Sequence, residues 1–543
     1  MLSKLLLYFV TIYYLKPIQI FARLKNFFYN PKADNSTRPS LRKIPCVQTF
    51  LLNEKNLLND RGEFLFLNQS GLLKNIGWYG NERTKLWRYN QHYFEYLNST
   101  NRDITNRFNK KILLDWVKSN PPAFEVGWEP YPTSLRVVNW IKYHLSFDTL
   151  PEECLQSLAV QGRWLYTRLE FHILGNHLLA NAKALIFLGL FFRGKEADKW
   201  LRKGIKIMSY QVSEQILSDG GHFERSAMYH SIILEDLIDI YSLCSTNNPP
   251  KIEKILSLLE ICEEKIPMMC EWLNVMTHPD EEIAFFNDAA FRIAPKPRSL
   301  LNYAARYGFN SPEIKDNCIW LRESGYLRAQ HENVTLIVDI ARLGPDYQLG
   351  HAHADTLSFE LSIFGRRLVV NSGTSDYNIG STRQHQRSTR AHNTVEINDR
   401  NSSEMWASFR VARRASPFDI KVKKGKKKIV IEGSHNGYSG YFSKIIHCRR
   451  WVLTGNSLRV IDNIDGNFKK WVSRLYLHPH VKCKQKIKCK ELKSLNDIIY
   501  FNCSLDEVNI RESKWAPEFG NQIPNQFIEM KGKGATCGFT MRW

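Results

Sequence analysis

Two histidines flank an alanine in His351-Ala352-His353-Ala354-Asp355, and a third, His392, follows a stretch holding Arg383, Arg387 and Arg390. Imidazole titrates near neutral pH and also ligates divalent metals. On a strand His351 and His353 would share a face, so one ring could act as a base while the other holds an ion. Asp355 is spaced to orient a ring nitrogen. A second polar cluster interrupts apolar sequence: Asn176-His177, where asparagine is a natural helix N-cap, and Asp219-Gly220-Gly221-His222-Phe223-Glu224-Arg225 running into Met228-Tyr229-His230. Loops at the ends of helical hairpins would bring both groups to one rim. Trp128-Glu129-Pro130-Tyr131-Pro132, with Arg136 one turn on, offers aromatic faces for a sugar and a guanidinium for a carboxylate; core packing is the competing role for Trp128. His478-Pro479-His480 with Cys483 has metal-like residue types, but its proline and alternating neighbours read as an edge strand or turn.

These groups must be carried by two kinds of element. From residue 46 to about 315 the periodicity is helical: Leu155, Leu158, Leu165 and Leu169 recur on one face, and Leu178 to Phe192 and Ile232 to Leu243 are long apolar helices. Short breaks such as Gly175-Asn176 and Asn247-Asn248-Pro249-Pro250 join them, which predicts stacked helical hairpins. Near residue 320 the period falls to two. Val334 to Ile340, Leu357 to Ser362, Arg367 to Val370, Lys428 to Ile431, Trp451 to Leu453 and Trp471 to Leu475 read as strands, so residues 320–543 are expected to form an antiparallel sandwich. Lys421 to Lys428 reads as a solvated hairpin.

The sequence contains 75 Lys and Arg against 54 Asp and Glu, a net charge of +21, which attracts polyanions: nucleic acid, anionic lipid or acidic polysaccharide. Aromatic residues, 12% of the 543, suit both nucleobases and sugar rings, so composition does not choose between them. The sequence has no P-loop, no GxGxxG after a strand, no GxSxG, no HExxH and no recognisable nucleic-acid module, which leaves nucleic-acid binding resting on charge alone. Eleven scattered cysteines without a CxxC predict buried free thiols. Residues 1–45 combine an apolar, basic start with a polar, proline-bearing linker from residue 30. With no small-residue cleavage site, the start reads as an amphipathic segment lying on a membrane or on the protein itself.

The run Gly350 to Val395 resembles the heparinase II/III-like family of polysaccharide lyases: GHAHAD, then Ser372-Gly373-Thr374, then RSTRAHNTV from Arg387. Trp87 to Phe94, Trp128 to Trp140, Gly175-Asn176-His177, Asp219-Gly220-Gly221 and Met228-Tyr229-His230 are similar, in the same order, to that family's N-terminal domain. Ser402 to Trp406 and Phe409-Arg410-Val411 look more like members encoded with bacterial surface-polysaccharide synthesis.

The resemblance implies an incomplete (α/α) toroid followed by an antiparallel β-sandwich, and β-elimination at a uronic acid. By resemblance Asn176 binds the uronate carboxylate beside His177. Tyr229 is the acid to the leaving oxygen and, for one epimer, also the base, while His351 is the base for the other or assists Tyr229. Trp128, Tyr131, Arg136, Tyr377 and Arg383 are the expected substrate contacts. His353 and His392 match the ligands of a structural zinc, whose third ligand is usually an aspartate where this chain has Asn371. A neutral amide oxygen is a weaker zinc ligand than a carboxylate. The expected partner is an acidic polysaccharide met in the cell envelope or periplasm, not nucleic acid. The alternative is a carbohydrate-binding protein of surface-polysaccharide production that does not cleave.

Overall fold

The computed structural model describes residues 2–43, 50–59, 61–246, 253–440, 444–485, 490–494, 497–505 and 507–543. The long helices precede Ala305 and the sheets that form the second half begin at Cys318. Helix Gly175–Phe191 is buried on every side except at His177, and it packs against helices Pro130–Ser146, Lys195–Gln215 and Ala227–Thr246. A helix apolar all round is a core helix, and here its first turn alone reaches a cleft. Asn176 is not its cap: the helix starts at Gly175 after Leu174, and Asn176 lies within the first turn. The Asn247 to Pro250 break lies outside the described residues. The expected linker is pinned to the body, because Arg38 pairs with Glu152 and the Arg163 guanidinium donates to the carbonyls of Ser36 and Thr37.

Besides two two-stranded hairpins, Glu63–Phe66 with Gln69–Leu72 and Met405–Trp406 with Arg410–Val411, the described strands form three larger antiparallel sheets. Five strands from Cys318–Leu321 to Arg366–Val369 follow sequence order. Strand Val334–Asp339 is buried on both faces. Its Ile337 joins the helical core while Leu336 and Val338 join the sandwich core, so this sheet binds the two halves together. An eight-stranded sheet starts with the hairpin Pro417–Lys424 and Lys428–His435, whose lysines are exposed as expected. A four-stranded sheet holds Glu507–Glu518, Asn521–Gly532, Trp471–Tyr476 and Val395–Ile397. His478 to His480 is the turn after Trp471–Tyr476. Nine cysteines among the described residues are free, seven of them buried.

The HAHAD segment is a loop between strands Val334–Asp339 and Phe359–Ile363, not a strand. Three further loops meet it: Asp219 to Ser226, Phe285 to Ala290 and Ser372 to Gly380. Gly373 has φ +75° and a Cβ there would lie 2.0 Å from the Ala516 carbonyl oxygen, so only glycine closes this turn.

The helical core also stores two neutral histidines. His92 accepts from Trp116 Nε1 at 2.9 Å, and His230 Nε2 bonds the Met269 carbonyl at 2.9 Å while its ring stacks on Trp272. Burial pushes each down to about 3. Above the ordinary value of roughly 6.5 both folded and unfolded states are neutral; as pH falls below it the unfolded state takes up protons that the folded state refuses. Stability is therefore lost between about pH 6.5 and pH 3, on the order of 3 kcal/mol per histidine by pH 4. Calorimetry should show the melting temperature falling steeply through this window and less steeply in His230→Gln. An acid-insensitive melting temperature would contradict it.

Candidate active site

A cleft of about 560 Å³ opens between the helices and the sandwich, and Tyr229, Tyr377, Tyr131, Tyr93 and Phe519 line it. Tyr229, in the first turn of helix Ala227–Thr246, hydrogen-bonds the Tyr377 hydroxyl at 3.0 Å. Its ring lies over His351 with centroids 4.0 Å apart. Burial, then the neighbouring Tyr377 and the Asp288 charge, raise the Tyr229 hydroxyl well above the usual phenol range. It is a neutral proton donor at physiological pH.

His351 is oriented from behind. Its Nδ1 lies 2.9 Å from Asp288 Oδ2, and its Nε2 lies 3.6 Å from Glu224 Oε2. Asp288 is fully buried and receives Arg383 through both guanidinium nitrogens, His353 Nε2 at 2.9 Å and the Thr374 hydroxyl at 3.2 Å. Burial works against its charge, but Arg383 and the two imidazoles outweigh that and hold the carboxyl well below the usual range. An ionised carboxylate only accepts, so His351 Nδ1 and His353 Nε2 both carry protons. That leaves the Nε2 lone pair of His351 free to act as a base.

Asn176 is presented by a strained corner. Leu174 and Gly175 have φ +69° and +55°, and a Cβ on Gly175 would sit 2.2 Å from Gln348 Nε2, so any other residue there would be strained and would displace the Gln348 side chain. The Asn176 amide donates to Glu224 Oε1 at 3.3 Å. Burial raises Glu224 above the usual carboxylate range, against the pull of His351 and Asn176. His177 Nδ1 lies 3.0 Å from Glu170, and its ring lies 4.4 Å from that of Tyr131. Burial opposes protonation of His177, but Glu170 prevails and its pKa is raised.

Tyr131, Tyr229 and Tyr377 line the cleft, and the structure sets His351 against Tyr229, His177 against Tyr131, and Asn176 near His351 through Glu224. It does not bring Arg136, Trp128 or Arg383 there. Arg136 is fully buried, stacked on Trp116 and bonded to Gln161 and the Gly127 carbonyl, so no substrate carboxylate reaches it. Trp128 stacks on Trp116 and donates to the Asn120 carbonyl: it is core. Arg383 is consumed by Asp288, and Arg387 by the carbonyls of Ala352 and Ser408. Sequence reasoning passed over Asp288, and it named Glu224 only as part of the polar cluster Asp219 to Arg225, with no role of its own. The one signal for Asp288 was an isolated acid inside the apolar run Phe285-Phe286-Asn287-Asp288-Ala289-Ala290.

The expected ligand set also changes. The Asn371 amide oxygen already faces His392 Nδ1 at 3.3 Å and the Asn393 amide, and its nitrogen donates to the Phe285 carbonyl. Asn371 thus has no spare oxygen aimed at an ion. His353, Asp355 and His392 instead offer one donor atom each within 4.8 Å of one another. With Nε2–H given to Asp288, His353 Nδ1 keeps its lone pair, and with Nδ1–H facing an amide oxygen, His392 Nε2 keeps its own. Both atoms are buried without a hydrogen-bond partner. Burial pushes His353 down to about 4 and His392 to about 3, so both rings are neutral ligands. Two neutral imidazoles and a carboxylate fit a divalent ion such as zinc.

Two family models match the chain, Heparinase II/III N-terminus over residues 74–314 and Heparinase II/III-like, C-terminal over residues 315–543. A heparin-sulfate lyase of Bacteroides stercoris is 25% identical over 348 residues, 54% of this chain and 50% of that protein. One from Pedobacter heparinus is 25% identical over 324 residues, 53% of this chain and 47% of that protein. The chain thus spans about half the length of the curated relatives it matches. Among solved structures, heparinase III superposes with TM-score 0.67 at 16% identity, covering 97% of this chain and 84% of that one. The heparan sulfate lyase of Pedobacter heparinus gives 0.56 at 17%, covering 97% and 87%. These structures share the incomplete (α/α) toroid followed by an antiparallel sandwich.

Proposed function

The chain belongs to the heparinase II/III-like family, and on that premise we propose that it cleaves a uronate-containing polysaccharide by β-elimination. The observation that carries this reading is the meeting of a neutral phenol of the cleft wall, an imidazole held by an ionised aspartate against its ring, and, through Glu224, a side-chain amide. The Asn176 amide donates to the uronate carboxylate, draws charge from it and so acidifies the C5 proton. His351 Nε2 takes that proton. Tyr229 gives its hydroxyl proton to the leaving glycosidic oxygen as the C4–O bond breaks and the C4–C5 double bond forms. His351 then loses its extra proton to water, and Tyr229 recovers one. For the other epimer, Tyr229 performs both transfers. The relatives named as lyases favour this over the binding-only alternative.

The cleft is less basic than the whole chain. Lys183 is paired with Asp236 and Asp239, and Lys142 with Asp239. Lys55 faces Glu95 at 3.5 Å and Lys296 faces Glu282 at 3.2 Å. Cations already neutralised by carboxylates do not reward dense sulfation. The expected result is faster formation of an ultraviolet-absorbing unsaturated product from unsulfated uronans than from heavily sulfated ones. Absence of that product across uronans of every common backbone would overturn the reading.

His353, Asp355 and His392 are the residues that would hold zinc. Bound there, it would supply structural cross-linking of the HAHAD loop to the segment before strand Val395–Ile397, rather than a reacting group. Metal analysis of the purified chain after zinc loading should find about one ion per chain. The melting temperature should rise with loading, and Asp355→Asn should lose both effects. Zinc content unchanged in Asp355→Asn would contradict the ligand assignment.

A further inference from the structure

The first two helices present an apolar face that none of the described residues covers. In Leu2–Tyr13 the exposed large residues are Leu5, Leu6, Phe9, Ile12 and Tyr13, with Tyr8 to one side; in Pro17–Phe28 they are Ile20, Phe21, Leu24, Phe27 and Phe28, with Ile18 to one side. Apart from Tyr8 and Ile18, both sets follow the i, i+3, i+4, i+7 spacing of one helix face. Exposure reaches 69% at Phe9, 75% at Tyr13, 84% at Phe27 and 81% at Phe28. Single exposed apolar residues are ordinary, but two aligned faces are not.

These faces are held outward by specific contacts on the opposite sides. In the first helix, Thr11 accepts from Trp406 Nε1 at 3.2 Å, Tyr8 packs edge-on against Trp406, and Arg414 lies 3.4 Å over Tyr14 just beyond the helix. Between the helices, Lys16 pairs with Glu214 and sits over Tyr347. In the second, Gln19 and Ala22 are buried, Gln19 donates to the Ile173 carbonyl at 3.2 Å, and Asn26 meets His172 at 3.3 Å. The pair is built into the fold rather than appended to it.

Charge identifies the occupant. Before Asp34 the sequence has Lys4, Lys16, Arg23, Lys25 and Lys32 and no acidic residue. Lys203 and Lys206 of helix Lys195–Gln215 lie close enough to Lys25 to depress Lys203, after burial, by mutual repulsion. Apolar side chains ringed by cations match the boundary between acyl chains and anionic headgroups. Neither helix alone is long and apolar enough to cross a bilayer; the two together have the length and composition, but a 112° bend at Tyr14 to Lys16 keeps them from forming one straight span. We propose that this helical pair docks the enzyme in the plane of an anionic lipid surface. The contacts that fix it reach the reaction centre, since Trp406 and Arg410 belong to the hairpin whose Phe409 packs against His351 and Tyr377.

The test is co-sedimentation of the full chain with phosphatidylcholine vesicles, with and without about 30% phosphatidylserine. The expected result is binding to the anionic vesicles, at least tenfold weaker to neutral ones. Phe27→Ser with Phe28→Ser should lose at least tenfold in binding and leave uronan cleavage unchanged, because neither residue touches the cleft. Three results would overturn the proposal: no vesicle binding by folded protein, self-association abolished by the same substitutions, or a mature chain cut before residue 30 in its own cell. Binding that ignores lipid charge would overturn the anionic part.

Discussion

Tyr229→Phe is expected to lower kcat by about a thousandfold while KM changes little, within the range found when a positioned proton donor is removed. Only the hydroxyl is lost. The phenylalanine ring can keep its stacking over His351, which lies 4.0 Å away in the native protein, so substrate meets nearly the same walls. What disappears is the proton for the leaving oxygen, and for one uronate epimer the base as well. Tyr377→Phe is the informative companion. It removes the 3.0 Å partner of the Tyr229 hydroxyl but no transferred proton, so a loss nearer tenfold is expected. Steady-state kinetics on the best uronan checks both. Equal losses for the two variants would move the donor role away from Tyr229.

Asp288→Asn is expected to damage both stability and rate. The Arg383 guanidinium is fully buried and Asp288 is its counter-charge, so the neutral amide leaves a cation uncompensated in the interior, at a cost of about 3–5 kcal/mol. The amide also offers a donor where both imidazoles require an acceptor. His351 then turns its proton toward the substrate, and kcat should fall by about 10³ to 10⁴. The two effects separate in a double variant. Asp288→Asn with Arg383→Met removes the unpaired charge and should recover much of the melting temperature, yet leave kcat low because the tautomer of His351 stays wrong. Recovery of activity along with stability would show that Asp288 acts through folding alone.

The motifs that reached the cleft were those whose chemistry is written locally. Asn176, Tyr229 and His351 each sit at the first turn of a helix or in a glycine-bearing loop, and period alone told the helical half from the sandwich. Burial of charge was not legible. Arg136 beside Trp128 has the residue types of a sugar site, and only the packing reveals a guanidinium closed between Trp116, Gln161 and the Gly127 carbonyl. Asp288 lies 63 residues before His351, in a loop whose neighbours are apolar, and its importance comes from four side chains that converge on it from distant segments. The ligand exchange is of the same kind. Asn371 stands at the expected place in the sequence, but its amide oxygen is spent on His392 and Asn393, while Asp355, two residues from His353, faces the two unsatisfied imidazole nitrogens. The +21 charge was visible from the outset, but not that cations of the cleft are paired with carboxylates while Lys25, Lys203 and Lys206 gather beside the second helix.

The central claim, elimination across C4 and C5 by Tyr229 and His351, is tested most directly by cleaving a uronan in water enriched in heavy oxygen and weighing the products. Elimination adds no water: the account predicts fragments with an unsaturated end, lighter than hydrolysis products by one water molecule and free of heavy oxygen introduced by cleavage. Fragments that carry heavy oxygen from cleavage and no double bond would contradict it.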